Sequence, residues 1–351
     1  MCFYSNPAVD DQLRSAGVEV VALEKRGRWD IATIGVRLVR SLRRFRPDLV
    51  QAFQDPPNLL VQLLKPFIPP TKIVWGIRAS NMKFENYDST RRVIASATRV
   101  FSHRPDLIVA NSEAGQAQAL RDGFPPGRLR VISNGIDTET YKPNHNGRLG
   151  VRKELGIGPT EKIVGLVARA DPKKDHVSFL RAANEIAERN PDTWFLCVGL
   201  ASTEDIERLT SVVQAAHRRK ILWTGIRHDM PDIYNALDVN CLTSSFGEGF
   251  PNSVGEAMAC GIPCVVTDCG DGPLIVGTTG HVVAAGDVDA IVQAIESLLK
   301  LPREERLHLA SECRSRVEDN YALNPMIEKT ERFYTDLVAS DRFSGKRSNF
   351  A

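Results

Sequence analysis

The sequence has no CxxC pair, no HExxH motif, no internal repeat and no apolar run approaching the ~20 residues that a bilayer-spanning helix needs. Its seven cysteines, an odd number, are scattered over 351 residues. The closest group, Cys260, Cys264 and Cys269, has spacings that fit no common zinc motif, and the histidines are equally dispersed. We therefore expect small buried thiols of a cytosolic protein, with neither a disulfide framework nor a metal site. The opening "MCFYSNPAVDD" has neither the basic start nor the long apolar core of a secretory leader. These absences point to the cytosol, or to a peripheral position on the inner face of the cytoplasmic membrane. What remains is an ordinary globular composition, 42% hydrophobic and 25% charged, in a chain long enough for two domains.

The net charge of +2 conceals an uneven distribution. Residues 1–130 hold 20 Lys and Arg against 12 Asp and Glu; the remainder is net acidic. Within the basic half, residues 30–46 read as a helix with Ile31, Ile34, Val36, Leu38, Val39, Leu42 and Phe45 on one broad apolar face and five arginines elsewhere. This is either a sheet-covering helix with a solvated basic side, or a surface that docks on anionic lipid at ~1 kcal/mol per basic residue. No nucleic-acid module and no interleaving of aromatic with basic residues accompanies the charge, so nucleic acid is not an expected partner.

Short apolar runs alternate with amphipathic stretches. Strands are predicted at 18–23, 48–53, 72–77, 106–111, 129–133, 162–168, 193–199, 220–225, 238–243 and 262–267, with helices at 30–46, 89–103, 175–190, 204–218 and 287–300. Strands that are apolar throughout imply parallel sheets covered on both faces, and two such blocks imply two α/β domains. The boundary is expected near 138–160, where the chain is polar and rich in Gly and Pro, and the last residues read as a disordered tail.

The stretch "GEGFPNSVGEAMACGIPCVV" (247–266) holds two carboxylates, Glu248 and Glu256, on either side of a loop rich in small residues. Ser253 and Glu256 have the S-x-x-E spacing of a capping box, and Gly261 stands where a helix C-terminal glycine belongs. The loop leaves the carboxyl end of an apolar strand, where open α/β sheets bind ligands. It feeds a helix whose first amides form a phosphate site, and Gly249 lets the backbone approach the ligand. The two carboxylates would flank a diphosphate and accept hydrogen bonds from sugar hydroxyls. In "ARADPKKDH", Arg169 and Lys174 follow the strand 162–168 on the same sheet rim, either as ordinary surface charges or as cations that neutralise that diphosphate.

These motifs, with "TGIRHDMPDIYNALDVNCLTSSFGEGFPNSVGEAMACGIPCVVTDCG" and "ISNGIDTETYKP", resemble retaining glycosyltransferases of family 4, strongly over 105–335 and weakly before that. The resemblance implies the GT-B architecture: an α/β fold of two facing Rossmann-like domains with parallel sheets. An acceptor-side domain would span 1–140 and a donor-nucleotide domain 141–324. A helix over 325–340 would cross back to the first domain, ahead of the tail at 341–351. It implies transfer of a sugar from a nucleotide-sugar donor, a UDP-sugar, to a glycan or lipid-linked acceptor in surface polysaccharide synthesis. By this resemblance Glu248 binds donor sugar hydroxyls, Glu256 the ribose, and Arg169 and Lys174 the diphosphate. Gly249, Phe250, Pro251, Asn252 and Ser253 would line the donor, and Arg227 would lie near the uracil. No DxD motif leads the donor loop, so neither a metal nor another cofactor is expected. The turn Asn134–Asp137 would enter the interdomain hinge. Arg78 and Asn81, beyond the strand 72–77, are candidates for the acceptor side or simple loop caps.

Two departures from the family pattern stand out. Relatives begin with a central strand and a Gly-rich loop, and here "CFYS" resembles the second strand, so the first domain is expected to be incomplete. Gln54 and Asp55 stand where many relatives place an acceptor-side histidine. A GT-B UDP-sugar 2-epimerase, or an inactive nucleotide-sugar-binding fragment, are the alternatives.

Overall fold

The computed structural model describes residues 1–27, 30–78, 80 and 89–344. Two parallel sheets organise them. The first contains β1 (Leu49–Phe53), β2 (Lys72–Ile77), β3 (Leu107–Ala110) and β4 (Leu129–Val131), in chain order. β2 is Lys-Ile-Val-Trp-Gly-Ile, with its four central residues buried, and β3 is buried throughout, as strands covered on both faces must be. On one face Ile73, Trp75 and Ile108 pack with Ile34, Leu38 and Leu42 of the helix Ile31–Phe45. On the other face Val74, Leu107, Val109 and Ile132 receive Met326, Phe333, Tyr334 and Leu337 from the last helix, Leu323–Ser344.

The second sheet comprises β5 (Lys162–Val167), β6 (Thr193–Val198), β7 (Ile221–Trp223), β8 (Val239–Leu242), β9 (Cys264–Thr267) and β10 (His281–Val283), in the spatial order β10-β9-β8-β5-β6-β7. The chain builds outward from β5 through β6 to β7, then returns to lay β8 against the other side of β5. That reversal opens a crevice at the carboxyl ends of β5 and β8, which is where a ligand site forms in such sheets. One apolar core lies on each face of this sheet.

The segments linking the two sheets are pinned together. The Ile136 amide donates to the Tyr321 carbonyl (2.8 Å), and the Leu323 amide to the Ile136 carbonyl (2.9 Å). Gly135 is required there: a Cβ would stand 2.7 Å from the Leu323 Cα.

Three expectations are corrected. The apolar run 18–23 forms no strand of the sheet. Ala22 makes one parallel bridge with Cys2, and the chain around it is tied to the N-terminus by amides of Cys2, Leu23 and Lys25. With a single two-residue partner, no ladder can propagate. The helix at 204–218 ends at Thr210. The expected apolar face of the helix Ile31–Phe45 divides: Ile34, Leu38 and Leu42 are buried at i, i+4 and i+8, whereas Ile31, Val36 and Phe45 are exposed, because seven apolar residues span more than one contact face. β10 was not among the expected strands: it is a three-residue edge strand with only two β-branched residues, Val282 and Val283. The expected disordered tail beyond Ser344 lies outside the described residues.

Candidate active site

The loop Thr243–Pro251 leaves the carboxyl end of β8 and enters the helix Asn252–Ala259. The expected capping box does not form. The helix begins two residues earlier than that spacing requires, with Pro251 rather than Ser253 at the N-cap and no side-chain cap on its first amides. The Glu256 carboxylate turns away and accepts from the Tyr234 hydroxyl (2.7 Å). Without a side-chain cap, the positive end of the helix is available to a ligand. At the other end Gly261 has φ +77°, and its amide returns to Met258 while that of Ile262 returns to Ala257.

Glu248 is buried within this loop (5% exposed) and forms an ion pair with Lys174, Nζ to Oε1 at 2.5 Å. The Ser244 hydroxyl donates to the same oxygen at 2.7 Å. Lys174 sits in a short 3-10 turn after β5, Pro172–Lys174, whose Asp171 side chain caps the Lys173 amide. Arg169 follows the same strand end and is exposed on the rim. Gly249, Phe250 and Pro251 are buried, Asn252 is exposed, and Ser253 is half-buried. Gly270 (φ +61°) backs the loop so closely that a Cβ would lie 2.6 Å from the Gly249 carbonyl oxygen.

Glu256 lies on the inner side of the helix. Burial pushes its carboxyl above the ordinary glutamate range, against the pull of the Tyr234 hydrogen bond. Tyr141 meets the Tyr234 ring edge-on at 6.0 Å, and burial together with Glu256 pushes the Tyr141 hydroxyl up to about 12. Arg227, by contrast, is engaged on both sides: its guanidinium forms a two-pronged pair with Glu154 (2.5 and 2.9 Å) and another with Asp229 (2.6 Å). It ties the β7 exit to the helix His145–Glu154.

The first sheet contributes from across the crevice. The Arg78 guanidinium lies over the Phe53 ring at 4.7 Å and donates to the Asn134 Oδ1 (2.7 Å), while the Asn134 Nδ2 donates to the Asn252 Oδ1 (2.8 Å). This chain of contacts runs from the end of β2, through the linking segment, to the first residue of the helix Asn252–Ala259. Asn111, 5% exposed at the end of β3, has its Oδ1 2.7 Å from where a Gly249 Cβ would be. The Ser80 amide (3.1 Å) and hydroxyl both donate to the Glu248 carbonyl. Asn81 lies outside the described residues. Among the described residues, no group of three or more His, Cys, Asp or Glu could hold a metal ion.

Sequence reasoning missed Tyr234, Ser80 and Asp271. Tyr234 had a signal, an aromatic with a polar tip in an otherwise buried helix. Asp271 had none, because its partners belong to the other sheet.

Comparison with known proteins places this geometry. The model of the Glycosyltransferase Family 4 matches residues 3–140, and that of Glycosyl transferases group 1 matches residues 161–301. The chain belongs to glycosyltransferase family 4. It is 28% identical over 61% of its length to the Escherichia coli UDP-Gal:alpha-D-GlcNAc-diphosphoundecaprenol alpha-1,3-galactosyltransferase, and the match covers 56% of that protein. It thus spans little more than half of that curated relative. It is 26% identical to the lipopolysaccharide core biosynthesis mannosyltransferase LpsB of Rhizobium meliloti, over 92% of this chain and 93% of the other. The crystal structure of Anabaena HepE in complex with UDP-glucose superimposes with a TM-score of 0.84 at 20% identity, covering 95% of this chain and 91% of the other. The family 4 chain therefore has the GT-B fold, an α/β architecture with two parallel sheets, as the sequence led us to expect.

Proposed function

We propose that this chain transfers a sugar from a UDP-linked donor to a hydroxyl of a glycan or lipid-linked acceptor, with retention and without a divalent metal. The observation that carries the reading is the Lys174–Glu248 pair beside a helix N-terminus that no side chain caps. The diphosphate would rest on the first amides of the helix Asn252–Ala259, on Gly249 and Ser253, and on Arg169 and Lys174. Glu256 would hold the ribose, Glu248 the sugar hydroxyls, and the Phe250–Asn252 backbone the rest of the donor. The bond between the anomeric carbon and the phosphate oxygen breaks. The acceptor oxygen forms its bond on the same face and passes its proton to the departing phosphate. The developing phosphate charge is met by Arg169, Lys174 and the helix dipole, which supply preorganised positive potential there. The UDP-Gal for which the Escherichia coli relative is named and the UDP-glucose bound to HepE support uridine as the base. Arg227, held by Glu154 and Asp229, would act near the base only through the backbone it fixes. Arg78 stands on the acceptor side, and residues 1–140 form the acceptor-side unit.

Thermal unfolding with UDP, GDP and ADP tests the reading. A ligand at about one hundred times its dissociation constant adds about 2.7 kcal/mol. UDP should raise the transition, and Glu256→Ala and Arg169→Ala should reduce that rise. A transition indifferent to all three nucleotides sinks it.

The same reading extends to a peripheral contact with anionic membrane. A groove of about 640 Å³ lies between the helices Ile31–Phe45 and Asp55–Leu64. Ile31, Val36, Leu63 and Phe67 are exposed along it, beside Arg40 and Arg43. Apolar side chains beside basic ones suit a phosphatidylglycerol surface. Co-sedimentation with phosphatidylglycerol vesicles, but not with phosphatidylcholine vesicles, is expected, and Arg40→Glu should weaken it. Equal behaviour toward both vesicles rejects the contact. Among the described residues, no helix is long and apolar enough to cross a membrane.

A further inference from the structure

Three consecutive residues at the end of β8, Thr243-Ser244-Ser245, touch both halves of the proposed donor site. The Thr243 hydroxyl lies 2.9 Å from the Lys174 carbonyl and 3.0 Å from the Asp175 carbonyl, donating between them. The Ser245 amide donates to the Lys173 carbonyl at 2.8 Å. These bonds fix the backbone that carries Lys174. Ser244 between them faces the other way: its hydroxyl donates to Glu248 Oε1, and its carbonyl accepts from the Thr267 hydroxyl at 2.5 Å. Thr243 and Ser244 are fully buried. Both donors to the Glu248 carboxylate, Lys174 and Ser244, land on Oε1. Among the described residues no donor holds Oε2.

We propose that Ser244 is a specificity-determining positioning residue: by fixing Oε1, it presents Oε2 alone to one hydroxyl of the donor sugar. The proposal rests on the donor-site reading above and refines it. A freely rotating carboxylate would accept from hydroxyls of several configurations. One whose first oxygen is held twice has a single oxygen, in a single place, left for the sugar. Ser244 therefore acts on the sugar and not on the nucleotide, while Thr243 acts through Lys174 on the diphosphate. A role confined to packing would not separate the two.

The test is calorimetric binding of UDP and of UDP-glucose to the wild type and to Ser244→Ala, Ser244→Thr and Thr243→Val; GDP and GDP-mannose replace them if guanine is the base that stabilises the wild type. Ser244→Ala should keep the nucleotide affinity within about two-fold and lose about ten-fold toward the nucleotide-sugar, the scale of one hydrogen bond to a charged group. Ser244→Thr, which keeps the hydroxyl, should restore most of that loss. Thr243→Val should weaken both ligands together. The proposal falls if Ser244→Ala binds both ligands as the wild type does, or loses both equally. It also falls if the wild type binds the nucleotide-sugar no better than the nucleotide, since Glu248 then reads no hydroxyl. A wild type that binds no nucleotide overturns the donor-site reading itself, which distinguishes the two failures.

Discussion

The carboxylate of Asp271, in the turn after β9 of the second sheet, accepts from the backbone amides of Glu113 (2.9 Å) and Ala114 (2.8 Å) at the start of a helix that covers the first sheet. The helix already has its own cap, Ser112, whose hydroxyl serves the Gly115 amide. Asp271 supplies what one residue cannot, partners for the two amides before that, and does so from across the crevice. Asp271 itself is buried, and that burial raises its carboxyl above the usual aspartate range while the two amides pull it back.

Asp271→Ala should therefore cost about 1 kcal/mol, the ordinary value of an N-terminal cap. Asp271→Asn retains one acceptor oxygen and should cost less. Chemical denaturation of the two variants checks the order. Equal stability of all three chains would mean that the capping contact contributes nothing in solution.

Nucleotide binding should depend on pH through Glu256. Its folded pKa is raised by burial. The folded chain thus keeps a proton that the unfolded chain releases, starting near the ordinary glutamate value of about 4.3. The stability from this group is present on the acid side and is lost as pH rises through the raised folded value. Ribose hydroxyls favour the ionised form, so UDP affinity should fall as pH drops through that same value. Tyr234→Phe removes a donor that lowers the pKa, moving the fall to higher pH, and Glu256→Gln should flatten it. Affinity titrations across the weakly acidic range read this directly; a Tyr234→Phe curve that overlays the wild type removes the Tyr234–Glu256 link.

Asp238 makes a separate, purely structural claim. Its Oδ1 accepts from Arg148 (2.9 Å), and its Oδ2 accepts from Arg152 (2.6 Å) and from the Ile163 amide (2.8 Å). The Arg152 side chain is 2% exposed. Asp238→Ala leaves a buried guanidinium without its counter-ion, which should cost about 3–5 kcal/mol. Adding Arg152→Leu should recover part of that loss, as the calorimetric transition temperatures will show.

The parts legible in the sequence were those set by local pattern. β3 is apolar throughout and β2, β5 and β6 are so after their first residue, and Gly261 is followed two positions on by Pro263 and then a strand. The candidate loop after β8 was marked by Gly, Pro and Asn clustered between two carboxylates at a strand end. What escaped depends on residues remote in the chain. Glu256 reads as a capping residue until Tyr234, 22 positions earlier, is seen to hold it. That Glu154, from another helix, engages the Arg227 guanidinium has no signal in the sequence around Arg227. The run 18–23 has the composition of a strand, yet strand formation needs a neighbour, and Cys2 alone supplies one.

Gln54 could not be anticipated at all, because it violates local preference. It sits at φ 71°, ψ 161°, a region that is essentially glycine's alone. Two contacts hold it there: its amide donates to the Gly76 carbonyl (3.0 Å), and its carbonyl accepts from the Asn58 amide (3.0 Å). The Asn58 side chain in turn donates to the Gly76 carbonyl. The turn delivers Asp55, whose carboxyl is raised by burial, at the end of β1 on the sheet edge that carries Arg78. Such strain costs about 1–3 kcal/mol, and a glycine gives back roughly 0.5–1 through its freer unfolded chain. Gln54→Gly should thus gain about 1 kcal/mol of stability, whereas Gln54→Ala, which keeps the Cβ, should gain nothing. If the strain serves to place Asp55 for the acceptor, the glycine variant should also turn over more slowly while its UDP affinity stays unchanged. Denaturation midpoints of the two variants decide the first point. A glycine variant no more stable than the alanine one would show that Gln54 carries no strain.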